Sequence, residues 1–123
     1  MLQVHALKLE LVTILCLRGR IGICETTVLR KAVLSQSGVS AVVLDLARVI
    51  GIDAAGLGVM LELREQTESN GIDFRLMNVT RLVQQVLEIT RLNSVFEIFS
   101  EAEVLSLATH GRPVAELQMA HCG

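Results

Sequence analysis

The stretch Ile52-Asp53-Ala54-Ala55-Gly56-Leu57-Gly58 sets a single carboxylate ahead of small residues interrupted only by Leu57. It follows the apolar run Ala41 to Leu46 and precedes Leu57, Met60, Leu61 and Arg64, whose spacing predicts a helix continuing to Gly71. Asp53 therefore sits where a side-chain oxygen can accept hydrogen bonds from the unpaired amides of a first helical turn. Those oriented amides and the helix dipole give such an entry positive potential, and small residues let another molecule's backbone come close. Three chemistries fit a segment of this kind. A phosphate-cradling nucleotide loop would need Lys and then Ser or Thr after the glycines, whereas Val59-Met60 follows Gly58. A purely structural role has Asp53 capping and Gly56 and Gly58 allowing tight helix-to-sheet packing. A docking surface for another protein is the third.

Nucleophilic chemistry finds little support elsewhere. Cys24, at a predicted helix start, is the thiol whose pKa a helix dipole would lower, but His5, His110 and His121 lie in terminal segments, far along the chain from it. Glu62 and Glu65 fall on a predicted solvated helix face. His110, His121 and Cys122 match no zinc spacing, so no metal and no cofactor is expected. Three cysteines without a CxxC pair fit a reducing compartment better than a disulfide framework, with Cys16 in the core.

The elements that must position the Asp53 segment follow from periodicity. Val12 to Leu17 reads as a strand ending at Arg18-Gly19, with Met1 to Leu9 as an edge strand beside it. Their turn must fall near Lys8 to Leu11, where no Gly, Asn or Pro supplies turn chemistry. A first helix begins at Thr26 or Thr27, carries Leu29, Ala32 and Val33 on one face, and is expected to stop at Gly38. Ala41 to Leu46 reads as a central parallel strand covered on both faces. Phe74 to Met77 is another strand. Thr80 caps a helix with Val83, Val86 and Leu87, Val95 to Phe99 is a short strand or extended segment, and Ser100 opens a last helix through Val104, Leu105 and Ala108. This order implies an α/β domain with a mixed sheet of four to five strands and about four helices. Residues 1–110 form the domain, and 111–123, with Pro113, form a tail or short docked segment.

Several blocks together carry a family resemblance. Val43-Leu44-Asp45-Leu46, Ile52-Asp53-Ala54-Ala55-Gly56-Leu57-Gly58-Val59, Phe74 to Val79, Val86-Leu87-Glu88-Ile89-Thr90-Arg91-Leu92 and Val95 to Phe99 occur in the order and spacing of a STAS domain. The chain resembles the anti-sigma-factor antagonists over about residues 10 to 108. The resemblance implies a binding module and not an enzyme, whose partner is a serine-kinase-type anti-sigma factor or a related regulator. It implies a docking face on Gly22, Ile52, Asp53, Ala54, Ala55, Gly56 and Leu57, so that a charge at Ile52 or Leu57 is expected to abolish association.

In that family the residue after the Asp is commonly the Ser or Thr that the kinase phosphorylates. Here it is Ala54, followed by Ala55, and neither has a hydroxyl to accept phosphate. Gly22 replaces a usual acidic residue, and Gly51 stands where an apolar or aromatic one is common. A constitutive binder without a phosphorylation switch is the resulting expectation. The alternative is a STAS subunit of an ABC-type lipid-transport system.

Composition restricts the remaining classes. In 123 residues, 51% of them apolar, one core is expected. A net charge of −2 with scattered Lys and Arg, and 2% aromatic content, disfavours nucleic acid as a partner. No run approaches the roughly 18 apolar residues of a membrane span, and the start Met1-Leu2-Gln3-Val4-His5 lacks secretory-signal patterning. Cytoplasmic location without membrane insertion is the expectation, and homo-oligomer formation stays open.

Overall fold

The computed structural model describes residues 1–109; the expectations for His110, His121, Cys122 and the segment 111–123 lie outside the described residues. In chain order the elements are β1 (Leu2–Leu9), β2 (Val12–Ile21), α1 (Thr26–Leu34), β3 (Ala41–Ile52), α2 (Ala54–Ser69), β4 (Asp73–Met77), α3 (Arg81–Ile89), β5 (Glu97–Phe99) and α4 (Glu101–Thr109). A 3-10 turn, Ile23–Glu25, joins β2 to α1. The sheet order is β1-β2-β3-β4-β5, antiparallel between β1 and β2 and parallel thereafter, which is the mixed sheet expected.

Alternation along the strands divides the core in two. Leu15, Leu17 and Ile21 of β2 and Leu44, Leu46 and Val49 of β3 face α1, α2 and α3, meeting Leu29, Met60, Leu63 and Val83. Val12, Ile14 and Cys16 of β2 and Ala41 and Val43 of β3 face the opposite way, under Val104 and Ala108 of α4. The first half of the central strand is thus covered on both faces, as its largely apolar run predicts. Asp45 is a carboxylate buried within that strand. It is compensated because Oδ1 accepts from the Ala47 amide at 3.0 Å and from Asn78 Nδ2 at 3.2 Å.

The β1–β2 hairpin closes between Leu9 and Val12. Glu10 takes φ 51° there, supplying the left-handed residue that glycine would otherwise provide, at a cost of roughly 1–2 kcal/mol. Capping follows the sequence signals in three helices. Asp53 caps α2 and Thr80 caps α3, Thr80 Oγ1 accepting from the Val83 amide at 3.3 Å. Ser100 and Glu103 form a reciprocal box at α4: Ser100 Oγ accepts from the Glu103 amide and Glu103 Oε1 from the Ser100 amide, each at 3.1 Å.

Four local expectations are corrected. The α1 start is not capped by threonine: Glu25 is the N-cap residue, and Thr26 Oγ1 donates to the Ile23 carbonyl of the preceding turn. That helix ends at Leu34 with Ser35 as C-cap, so Gly38, at φ 70°, serves the turn before β3 and not the helix stop. On α2 the buried stripe includes Leu63 and Thr67, while Leu61 and Arg64 are only half-buried. Strand β5 begins at Glu97, because the Val95 and Phe96 amides both donate to the Leu92 carbonyl in a turn that buries Phe96 against Phe74.

The largest departure is in β3, which runs six residues past Leu46. Its register against β2 slips twice: Cys16 and Arg18 oppose Asp45 and Arg48, and Gly19 and Arg20 oppose Val49 and Gly51. In each step β3 advances one residue more than β2, the signature of bulges, which bend a strand and re-aim its side chains. Pairing of β3 with β4 ends at Asp45 and Met77, so the bulged end projects beyond β4 and delivers Asp53 to α2.

Candidate surface at the entry of helix α2

Asp53 is extended, with φ −109° and ψ −178°, and the helix starts at the next residue. Its two carboxylate oxygens serve different segments. Oδ1 accepts from the Gly56 amide at 2.8 Å, capping α2, and Oδ2 accepts from the Ile23 amide at 3.2 Å. One side chain therefore ties the helix entry to the turn leaving β2. The hydrogen bond from Gly56, aided by those from Ile23 and Ala55 and by the charge of Arg20, holds the carboxyl below its ordinary value of 3.8 against an opposing desolvation.

Gly22 is required by this arrangement. A Cβ there would lie 2.9 Å from Asp53 Oδ2 and 3.1 Å from Glu25 Oε1, and its own amide donates to Glu25 Oε1 at 3.2 Å. Gly56 is required as well, since a Cβ would run into the Ile21 carbonyl where α2 crosses β2. Gly58 is different: it is exposed, with open space where a side chain would stand, so it does not serve helix-to-sheet packing.

The sequence-derived residues fall into two groups. Asp53 and Ala54 are exposed, and Ile52 and Ala55 are half-buried, forming one continuous surface. Gly22, Gly56 and Leu57 are buried beneath it, with Leu57 in the helix-side core. A charge at Leu57 would therefore disrupt the core, and it cannot report on docking as the sequence alone suggested. Two apolar residues that periodicity assigned to no surface stand beside the exposed group. Ile23 is 72% exposed in the turn held by Asp53, and Ile50 is 69% exposed on the bulged end of β3. An isoleucine inside a three-residue turn was the available signal for the first; nothing in a single sequence announces the second.

Among the described residues no group of His, Cys, Asp and Glu could hold a metal ion. Cys24 is exposed in the 3-10 turn, with Asp53 and Glu25 as the nearby acids already engaged by amides. A cavity of about 330 Å³, lined by His5, Cys16, Arg18, Asp45 and Arg48 among others, opens on the face away from α2, and none of the α2-entry residues is among them. What the α2 entry offers is a surface of small and apolar side chains around the hydrogen-bonded carboxylate of Asp53.

The STAS domain family profile matches residues 5–104, and the chain belongs to that family. Its fold is that of a Thermotoga maritima protein assigned as an anti-sigma factor antagonist, 24% identical, with a TM-score of 0.75 over 84% of this chain and 92% of the other. The anti-sigma factor antagonist SpoIIAA in its unphosphorylated form is 19% identical, with a TM-score of 0.66 over 86% and 94% of the two chains. A sulfate transporter family protein from Wolinella succinogenes is 21% identical, with a TM-score of 0.65 over 86% and 88%.

Proposed function

We propose that this chain is a constitutive partner-binding module, not an enzyme, that acts in the cytoplasm and engages a serine-kinase-type anti-sigma factor or a related regulator. Ile52, Asp53, Ala54 and Ala55 form its docking face, supported from below by Gly22, Gly56 and Leu57. The observation that carries this reading is Ala54, exposed at the first position of α2 immediately after the capping Asp53. A phosphoserine at such a position would add nearly two negative charges and three oxygens to a close-contact surface, and so expel a partner. Alanine leaves that position permanently small and neutral.

The test is to incubate the chain with a serine-kinase-type anti-sigma factor and labelled ATP. Stable association without incorporated phosphate is expected, and the Ala54→Ser variant, which restores the hydroxyl at the same exposed position, is the control for kinase access. Phosphate on the unaltered chain, with loss of association, would overturn the reading. A second reading, a STAS subunit of a transport system such as an ABC-type lipid transporter, draws on the likeness to the sulfate transporter family protein. It predicts copurification with a transport ATPase or permease in near-equal amounts.

A further inference from the structure

The charges bordering the α2 entry are unequal. The two carboxylates present, Asp53 and Glu25, are both committed to backbone amides, Asp53 through both oxygens and Glu25 through Oε1. On the other side stands Arg20, exposed, opposite Gly51 in the β2–β3 register. A Cβ at Gly51 would lie 3.4 Å from Arg20 Cζ and 3.5 Å from Nη1, so the guanidinium lies at contact distance over the bulged end of β3. Arg18 precedes it by two residues, on the same side of β2, and is also exposed. Neither Arg18 nor Arg20 forms a salt bridge among the described residues. In a chain of net charge −2, an exposed cation thus stands opposite Gly51, next to Ile50 in β3 and three residues before Ile23; its charge bears on Asp53, with which it forms no salt bridge.

We infer that Arg20 is a specificity-determining residue: the partner segment that covers Ile23, Ile50 and Ala54 carries a carboxylate that pairs with the Arg20 guanidinium. Because Arg20 borders the docking face proposed above, its role rests on that reading and sharpens it. The partner chemistry is acidic and apolar together, an aliphatic side chain to cover the isoleucines and an Asp or Glu placed to meet the planar guanidinium fork. A basic partner face is rejected by the same cation.

The experiment measures association of the full chain with a purified serine-kinase-type anti-sigma factor by surface plasmon resonance, between about 0.05 and 0.5 M salt. It compares the unaltered chain with Arg20→Gln, Arg20→Glu and Ala54→Glu, each checked for unchanged thermal unfolding. Arg20→Glu is expected to slow association on the order of tenfold, Arg20→Gln by less, and both to flatten the salt dependence. Ala54→Glu is expected to abolish binding. If Ala54→Glu abolishes binding while both Arg20 variants associate like the unaltered chain at every salt concentration, the charge inference is overturned and the docking face stands. If Ala54→Glu binds normally, the docking face itself is misplaced and the role of Arg20 falls with it.

Discussion

Asp53 does two things with one carboxylate, capping α2 through Gly56 and holding Ile23 in place through its second oxygen. Its pKa is lowered in the folded chain, so its contribution to stability is fully present above the ordinary value of 3.8 and is lost as pH falls through the lower folded value. A carboxyl-detected NMR titration should place the Asp53 midpoint below 3.8, with the Gly56 and Ile23 amide shifts following it; a midpoint at or above 3.8 would contradict the dual hydrogen bonding. Asparagine at Asp53 keeps one acceptor oxygen, so Asp53→Asn should retain the α2 cap and loosen the 22–25 turn. Hydrogen exchange would register this as faster exchange at Ile23 than at Gly56. Asp53 was legible from sequence as a cap because an Asp before a helical pattern is a local signal. Its second bond was not, because Ile23 lies 30 residues away and only the fold brings it near.

On α2, two glycines two residues apart, on opposite sides of the helix, have opposite meanings. Gly56 lies against the Ile21 carbonyl, so Gly56→Ala should overpack the crossing of α2 over β2 and cost about 1–3 kcal/mol or more. Gly58 faces open space within the helix, so Gly58→Ala should stabilise by about 0.4–1 kcal/mol. Urea unfolding of the pair decides this, and equal effects of the same sign would contradict the packing described. The element order, the two-faced burial of β3 and the caps at Asp53, Thr80 and Ser100 could all be read from periodicity and local capping chemistry. The bulged end of β3 could not, because register slips arise between two paired strands, and neither strand's sequence records them alone. That end is where Ile50 and Gly51 sit, so this share of the surface missed from sequence is one that only strand pairing creates. Gly38 was misplaced as a helix stop for a related reason: Ser35 ends α1 without a left-handed residue, leaving the glycine to the next turn.

At the scale of the whole molecule, β3 is sandwiched between α1, α2 and α3 on one face and α4 on the other, and its bulged end carries the chain to the α2 entry. A second apolar stripe runs along α3 through the exposed Leu82 and Ile89, the latter 81% exposed, with half-buried Val86 between them. It therefore competes with the α2 entry as a contact face. Hydrogen exchange of the complex with a serine-kinase-type anti-sigma factor separates the two faces directly. The account predicts protection on binding in the segments 22–25 and 50–57, with α3 unchanged. Protection confined to residues 81–92, with the α2 entry exchanging as in the free chain, would contradict it.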